Sequence, residues 1–385
     1  MVKMLRYACF LGCVVLACLG CGSSSPAPSS SAAASAAASA VASARDSAAA
    51  SALVADLPTP EPTPTAFVSA VWTTKPIALF AKATDEGAPQ VHLGANFPLT
   101  LTQNSATVEG QPWVEATWQT PSRKETGWLP ESAVTRTRPS GPTTAGIDSL
   151  DEDLAEYLSG LGNRIGVDAY DVTRGVTYTY HEDLSYFCAS SVKVPIMLTF
   201  FTQIETKGRE PTAHELVLLR TMIENSNNTS AEALYEEIGA QAGINAFMRK
   251  VGITGLVPNR PNWWGHSTIT PATMVALLTR LHAGTVLNDA HRKIALGFME
   301  HVDAAGKTGI GDSSPAGATV AMKDGWTTAL DGTGTSVVNT SGIVTLGGET
   351  YILSVYTDHD HGFAAGWKII RHVAKVIGQR LMPGA

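Results

Sequence analysis

FCASSVKVPIM, residues 187–197, sets one lysine in an otherwise apolar run, three residues after Ser190 and two after Ser191, with Cys188 just upstream. If the run opens a buried helix, residues i and i+3 share a face and i and i+2 do not. Lys193 then reaches Ser190 and points away from Ser191. A lysine among Val192, Val194, Ile196 and Met197 is desolvated, which lowers its pKa from about 10.4 toward the range where it can take a proton. A hydroxyl beside such a base becomes a nucleophile. The competing reading is structural: Ser190 caps the helix and Lys193 snorkels to the surface. A bare S-x-x-K arises about once by chance in a chain of this size, so elements elsewhere must decide.

Two segments supply such elements. MIENSNNTSAEALYEEIG (222–239) places Ser226-Asn227-Asn228 just ahead of a helix. VAMKDGW (320–326) closes a strand-like alternation on Lys323, Asp324 and Gly325. A literal Lys-Thr-Gly stands at 307–309, but DAAGKTGIGDSSPAG surrounds it with Gly, Asp, Ser and Pro instead of a strand, so Lys323 and not Lys307 is the expected element. The Gly-Lys-Thr is not a phosphate loop either, because the upstream glycine of that motif is missing.

With these three elements in this order, the chain resembles the class A β-lactamase and penicillin-binding serine hydrolase family over residues 147–385. S-x-x-K is Ser190 to Lys193, the S-D-N element is Ser226-Asn227-Asn228, and the K-T-G element is Lys323-Asp324-Gly325. The resemblance implies an α/β (α+β) fold of the β-lactamase/transpeptidase type, a five-stranded antiparallel sheet flanked by terminal helices and joined to a helical subdomain. It implies that Ser190 attacks an amide carbonyl, Lys193 activates it, and Ser226 relays a proton to the leaving nitrogen. Asn228 would orient the acyl side chain and Lys323 would attract an anionic substrate. The backbone N–H groups of Ser190 and Trp326 would form the oxyanion hole, with Asp324 and Gly325 also on the substrate side. The substrate implied is a β-lactam or a peptidoglycan peptide amide, with no cofactor and no metal.

Three departures bear on turnover. The family's fast enzymes carry a loop glutamate that activates the deacylating water, whereas LVPNRPNWWGHS (256–267) holds neither Glu nor Asp. An acyl-enzyme could then form and persist, as in transpeptidases. Asp324 replaces a threonine and Asn227 an aspartate; a carboxylate at 324 facing a substrate carboxylate at about 4 Å would cost about 4 kcal/mol at an effective dielectric of 20. Cys188 reads as a small buried residue, not a redox group. Asp358-His359-Asp360-His361 lies in one polar loop without the spacing of a metal site. Beside the acyl hydrolase stand two other readings, a catalytically silent cell-wall protein and a peptidase that β-lactams merely inhibit.

The rest of this region reads as strands around helices. Ser149 and Glu152 suggest a capping box before a helix whose Leu150, Leu154, Tyr157, Leu158 and Leu161 share a face. RIGVDAYD (164–171) and GVTYTYH (175–181) read as a hairpin turning at Thr173-Arg174. Between about 187 and 302 the pattern is helical, with Thr212/Glu215 as a capping box and Thr270-Pro271 opening a further helix. ATVAMK (318–323), TSGIVTL (340–346) and YILSVYT (351–357) read as strands, and an amphipathic helix over 363–382 closes the chain.

Upstream, residues 67–138 carry short β-type runs, and GWLPESAV resembles the end of a bacterial SH3-like domain, a small β-barrel common in cell-wall proteins. RPSGPTTAG (138–146) reads as a linker. Residues 22–66 are Ser, Ala and Pro, too polar and simple to fold, and read as a disordered tether. Residues 1–21, with Lys3, Arg6 and a short apolar run, resemble a lipoprotein signal peptide with Cys21 as the lipidated residue; Cys18 is a second match. The expectation is an exported monomer, lipid-anchored to the membrane, with possible cell-wall contact through the SH3-like domain. Removing Lys3 and Arg6 would take the formal charge from −7 to −9, which argues against nucleic acid as a partner. Of five cysteines, four lie in the signal, leaving Cys188 alone and no intrachain disulfide.

Overall fold

The computed structural model describes residues 70–383, Asp85 and Asp331 excepted. The expected signal peptide with Cys21 and the expected tether lie outside the described residues. The upstream β region contains β1 (Ala70–Thr73), β2 (Ile77–Leu79), β3 (Val91–Leu93), β4 (Pro98–Val108), β5 (Gln111–Gln119), β6 (Lys124–Pro130) and β7 (Val134–Thr135). Five of these form a sheet in the order β6-β5-β4-β1-β7, and a bridge from Phe80 to Trp128 folds the chain after β2 onto β6. Inward positions alternate as strand geometry requires: Leu79, Leu93, Phe97, Ala116, Trp118 and Leu129 are buried to within 1%.

The expected linker is instead structural. Thr143–Gly146 forms β8 and pairs in parallel with β10 (Val176–Tyr180), while Leu93 of β3 bridges to Ala145. Backbone amides left bare beside a buried sheet are costly, so a segment that reads as spacer by composition is recruited to cover an edge. The sheet of the larger region therefore has eight strands, not five. Its order is β14 (Thr319–Thr328), β15 (Ser336–Leu346), β16 (Glu349–Asp360), β9 (Ile165–Asp171), β10, β8, β3 and β2. The expected five strands are its contiguous antiparallel part.

The helices divide between the two faces. On one lie α1 (Glu152–Leu161) and the C-terminal α9 (Phe363–Leu381), tied by Tyr157 against His372 with ring centroids 4.6 Å apart and by Arg380 to Asp151 at 2.6 Å. Asp151 is also the N-cap of α1, accepting from Leu154 N at 2.7 Å. Ser149, the expected cap, instead donates its hydroxyl to Gly146 O at 2.7 Å. The carboxylate two residues closer takes the cap because a carboxylate bonds a helix N-terminus more strongly than a hydroxyl does.

The other face carries α2 (Lys193–Thr206), α3 (Ala213–Glu224), α4 (Asn228–Glu237), α5 (Ala240–Val251), α6 (Pro271–His282) and α7 (Asp289–Glu300), with a small sheet of β11 (Tyr186–Phe187), β12 (Leu256–Val257) and β13 (Thr268–Ile269); a short α8 (Ile310–Ser313) precedes β14. The capping box at Thr212/Glu215 and the Thr270 cap with Pro271 in the first turn form as the sequence suggests. Helix α2 is buried at eleven of its fourteen positions, Lys193 among them. An amphipathic helix would bury about half that, so α2 is the axis around which the other helices pack.

At the junction of the two regions, a Cβ added to Gly94 would fall 2.0 Å from Thr144 Oγ1 and 2.3 Å from Thr144 O. Gly94→Ala should force β3 away from β8 and destabilise the protein by about 1–3 kcal/mol, the usual cost of overpacking. Thermal unfolding checks this, and an unchanged melting temperature would contradict the splice of the two regions.

Candidate active site

Ser190 lies on a 3-10 turn, Ala189–Val192, that leads directly into α2. Side chains three apart are aligned on such a turn, and the geometry selects the same serine that the sequence did. Lys193 Nζ lies 3.0 Å from Ser190 Oγ. Ser191 turns into the core, donating to Cys188 O at 2.7 Å and pairing with Tyr356 OH at 2.8 Å. Cys188 is fully buried, and burial pushes its thiol well above the usual range, as suits a packing residue.

Lys193 does not snorkel. It is 0% exposed, and its Nζ has four oxygen neighbours: Ser190 Oγ and Ser226 Oγ, both at 3.0 Å, Ser226 O at 2.7 Å and Asn228 Oδ1 at 2.8 Å. The indole of Trp264 covers it at 5.1 Å. Burial, helped by the charge of Lys323, brings its pKa down to about 6. An amine in this cage can donate two N–H bonds to the carbonyl oxygens of Ser226 and Asn228, leaving its lone pair for a serine hydroxyl.

Ser226 comes from the turn between α3 and α4, held in the left-handed region at φ 53°. Asn227 caps α4, its Oδ1 accepting from Ser230 N at 2.8 Å. The asparagine in place of the family's aspartate thus has a local job that needs only a carbonyl oxygen. Asn228 is exposed apart from its bond to Lys193, so its amide N–H groups are available at the mouth.

Strand β14 supplies the third element. It is an edge strand and alternates its side chains between the faces. Lys323 and Gly325 point toward Ser190. A Cβ on Gly325 would fall 2.7 Å from Cys188 O and 2.9 Å from Ser190 N, so only glycine lets the strand come this close to Ser190. Lys323 is 0% exposed, donates to Asp324 O at 3.1 Å, and has its pKa lowered to about 8, burial outweighing Asp324 and Asp303. Asn339, from β15, ties Cys188 O to this face at 2.9 Å.

The side chain of Asp324 faces the other way, which corrects its expected place among the substrate-side groups. Its Oδ1 accepts from Thr340 Oγ1 at 2.7 Å, and its Oδ2 accepts from Thr308 N at 2.9 Å and from the Thr308 hydroxyl. Burial raises its pKa to about 7 against the pull of Thr308, Thr340 and Lys323. The repulsion expected with an anionic substrate therefore does not arise at that face. The literal Lys-Thr-Gly at 307–309 acts as the anchor that receives this carboxyl, with Lys307 exposed. The Trp326 side chain is likewise on the far face, edge-on to Trp367 at 5.9 Å, so only its backbone belongs to the cleft side.

The sequence reading missed Glu232. It stands one helical turn after Asn228 on α4 and accepts from Trp264 Nε1 at 2.6 Å and from Asn262 N at 2.9 Å, pinning the carboxylate-free loop and the indole over Lys193. Its i, i+4 spacing from Asn228 was the available signal. Of the 358–361 cluster, Asp360 turns inward to the Thr357 hydroxyl and a buried site, while His359 pairs with Asp358 at 3.2 Å.

Residues 214–381 match the model of the Beta-lactamase enzyme family. That match contains the 226–228 and 323–325 elements and begins after Lys193. Beta-lactamase L2 of Stenotrophomonas maltophilia is 24% identical over 220 residues, covering 46% of this chain and 70% of that protein. A beta-lactamase of Rhodobacter capsulatus is 24% identical over 194 residues, covering 42% and 66%. Among solved structures, TLA-3 extended-spectrum beta-lactamase superposes with a TM-score of 0.55 at 19% identity, covering 61% of this chain and 99% of that one. The PBP-A L158E mutant, an acyl-enzyme complex with penicillin-G, gives 0.53 at 21% identity, covering 61% and 96%. The fold is that of β-lactamases and penicillin-binding proteins.

Because the Asp324 carboxyl titrates higher in the folded than in the unfolded chain, the native state keeps a proton that the unfolded state releases above about pH 4. Its contribution to stability therefore falls as pH rises from about 4 through about 7, on the order of 1 kcal/mol per pH unit. Asp324→Asn should flatten this part of the profile in denaturant titrations. An identical slope in the variant would contradict the assignment.

Proposed function

We propose that the chain is a serine hydrolase of the class A β-lactamase type, acylated at Ser190 by a β-lactam or a peptidoglycan peptide amide and slow to release the acyl group. One observation carries the reading: Lys193 is buried and caged by Ser190, Ser226 and Asn228, surroundings that bring its pKa down to about 6 and suit it to act as a base near neutral pH. The Ser190 proton passes to Lys193 Nζ as Ser190 Oγ bonds the amide carbonyl carbon. The resulting oxyanion is held by the N–H groups of Ser190 and Trp326, a class of donor whose loss costs about 10²–10³ in rate. The C–N bond then breaks, and the proton moves from Lys193 through the Ser226 hydroxyl to the leaving nitrogen. Lys323, cationic below about pH 8, attracts the substrate's anionic group, while Lys193 stays neutral above about pH 6. Two lysines in one cleft thus divide the work because their surroundings separate their pKa values.

Deacylation lacks the same support. No carboxylate is present at 256–267, and Glu232, which reaches this loop from α4, is committed to Trp264 and Asn262. This favours a penicillin-binding behaviour, in which the acyl-serine persists, over rapid turnover. The accompanying proposal is an exported protein, lipid-anchored at Cys21 through a flexible tether, whose SH3-like region contacts the cell wall.

Incubation with a penicillin should give an intact-mass increase equal to the drug in the wild type and none in Ser190→Ala. Unmodified wild type, with no hydrolysis of several β-lactams or muropeptides, would overturn the proposal. The acylation rate should rise about tenfold per pH unit below about 6, level off, and fall again above about 8 for anionic substrates. Lys193→Met should lower it by about 10²–10⁴. A rate that first rises near pH 10 would mean that Lys193 is protonated at neutral pH.

A further inference from the structure

On the face of the sheet that carries α2 and α6, directly opposed residues form a polar row from Lys323 through Ser341 and Ser354 to Asp168. All four are at most 4% exposed. Ser341 and Ser354 bond each other at 2.9 Å and Lys323 donates to Asp324 O, but Oδ1 of Asp168 has no hydrogen-bond partner among the described residues. A buried carboxylate without a partner is costly enough that it either holds a proton or finds a cation.

Asp168 lines a cavity of about 650 Å3 between the sheet and α6. Thr177 and Thr179 contribute hydroxyls to the wall, Val275 and Ala276 an apolar side, and Glu182 and Asp183 two more carboxyls. Burial raises the Asp168 pKa to about 8, and the charges of Glu182 and Asp183 push in the same direction. The three acids are spread around the cavity instead of converging, and no group of three or more His, Cys, Asp or Glu among the described residues could hold a metal ion. Arg280 also lines the cavity. An alkyl chain ending in a charged nitrogen matches this lining better than a bare ion does, because its carbons have an apolar side to lie on.

We propose that this cavity binds a primary ammonium on an aliphatic chain, its N–H groups meeting the unpartnered Asp168, with Glu182 and Asp183 adding negative charge elsewhere on the wall. The cation favours the ionised form of Asp168 over the protonated one and gives Asp168 Oδ1 its missing partner. This chemistry is shared by a free diamine and by the lysine side chain of a peptide. The site is separate from Ser190 and does not depend on acylation there.

Titration calorimetry of the protein with 1,5-diaminopentane and, separately, with acetyl-Ala-Lys-Ala-amide tests the proposal, with 1-pentanol as the uncharged control. Saturable binding of either amine and none of the alcohol is expected. The source is the peptide if it saturates at the lower concentration, and the free diamine otherwise. Asp168→Asn, which keeps the shape but cannot ionise to meet the cation, should weaken binding about tenfold or more, the loss of a charge-assisted bond. Glu182→Gln with Asp183→Asn should weaken it too, and both variants should still be acylated at Ser190. No saturable binding of either amine, or equal affinity in Asp168→Asn and wild type, would overturn the proposal.

Discussion

The interaction on which the rest depends is the desolvation of one ammonium group. Lys193 sits at the start of the most buried helix, under Trp264, with no carboxylate to compensate its charge. Removed from water and without a counter-ion, it is more stable as an amine, and an amine surrounded by two serine hydroxyls is a base with a proton donor on either side. The buried position of α2, the left-handed turn at Ser226 and the pinned 256–267 loop all maintain that cage. Each spends local stability, in strain or in buried polarity, to keep Nζ dry and its oxygen neighbours at about 3 Å.

The sheet provides the second constraint. Alternation along β14 sends Lys323 and Gly325 to the side of Ser190 and Asp324 and Trp326 to the side of α9. One strand therefore serves two environments: one face brings Lys323 to the Ser190 side, and the other is locked to the 307–310 loop and the C-terminal helix. The missing Cβ of Gly325 sets how near the strand approaches Ser190. The aspartate at 324 is compatible with an anionic substrate because it is spent on Thr308 and Thr340, behind the strand.

Much of this was legible in the chain. The three-residue spacing picked Ser190 over Ser191, because turn geometry depends on little else, and the strand context picked Lys323 over Lys307. The direction of Asp324 was hidden because its partner is a threonine sixteen residues away, inside a segment that imitates the motif itself. Glu232 was hidden because its function is to hold a loop, which requires the tertiary contact with Trp264 to be seen. The eighth-strand extension was hidden because RPSGPTTAG has linker composition, and only the open edge of β10 gives it a reason to pair. Local rules were readable where a side chain answers to its own helix or strand, and unreadable where it answers to a distant one.

Acylation of Ser190 by the proposed route depends on the protonation state of Lys193. Titration of the side-chain carbon next to Nζ by NMR in 13C-lysine-labelled protein, with the signal assigned by its loss in Lys193→Met, measures it directly. A midpoint near 6 is predicted. A midpoint above about 9, close to that of a lysine in water, would mean that the buried nitrogen keeps its proton and that the base for Ser190 lies elsewhere.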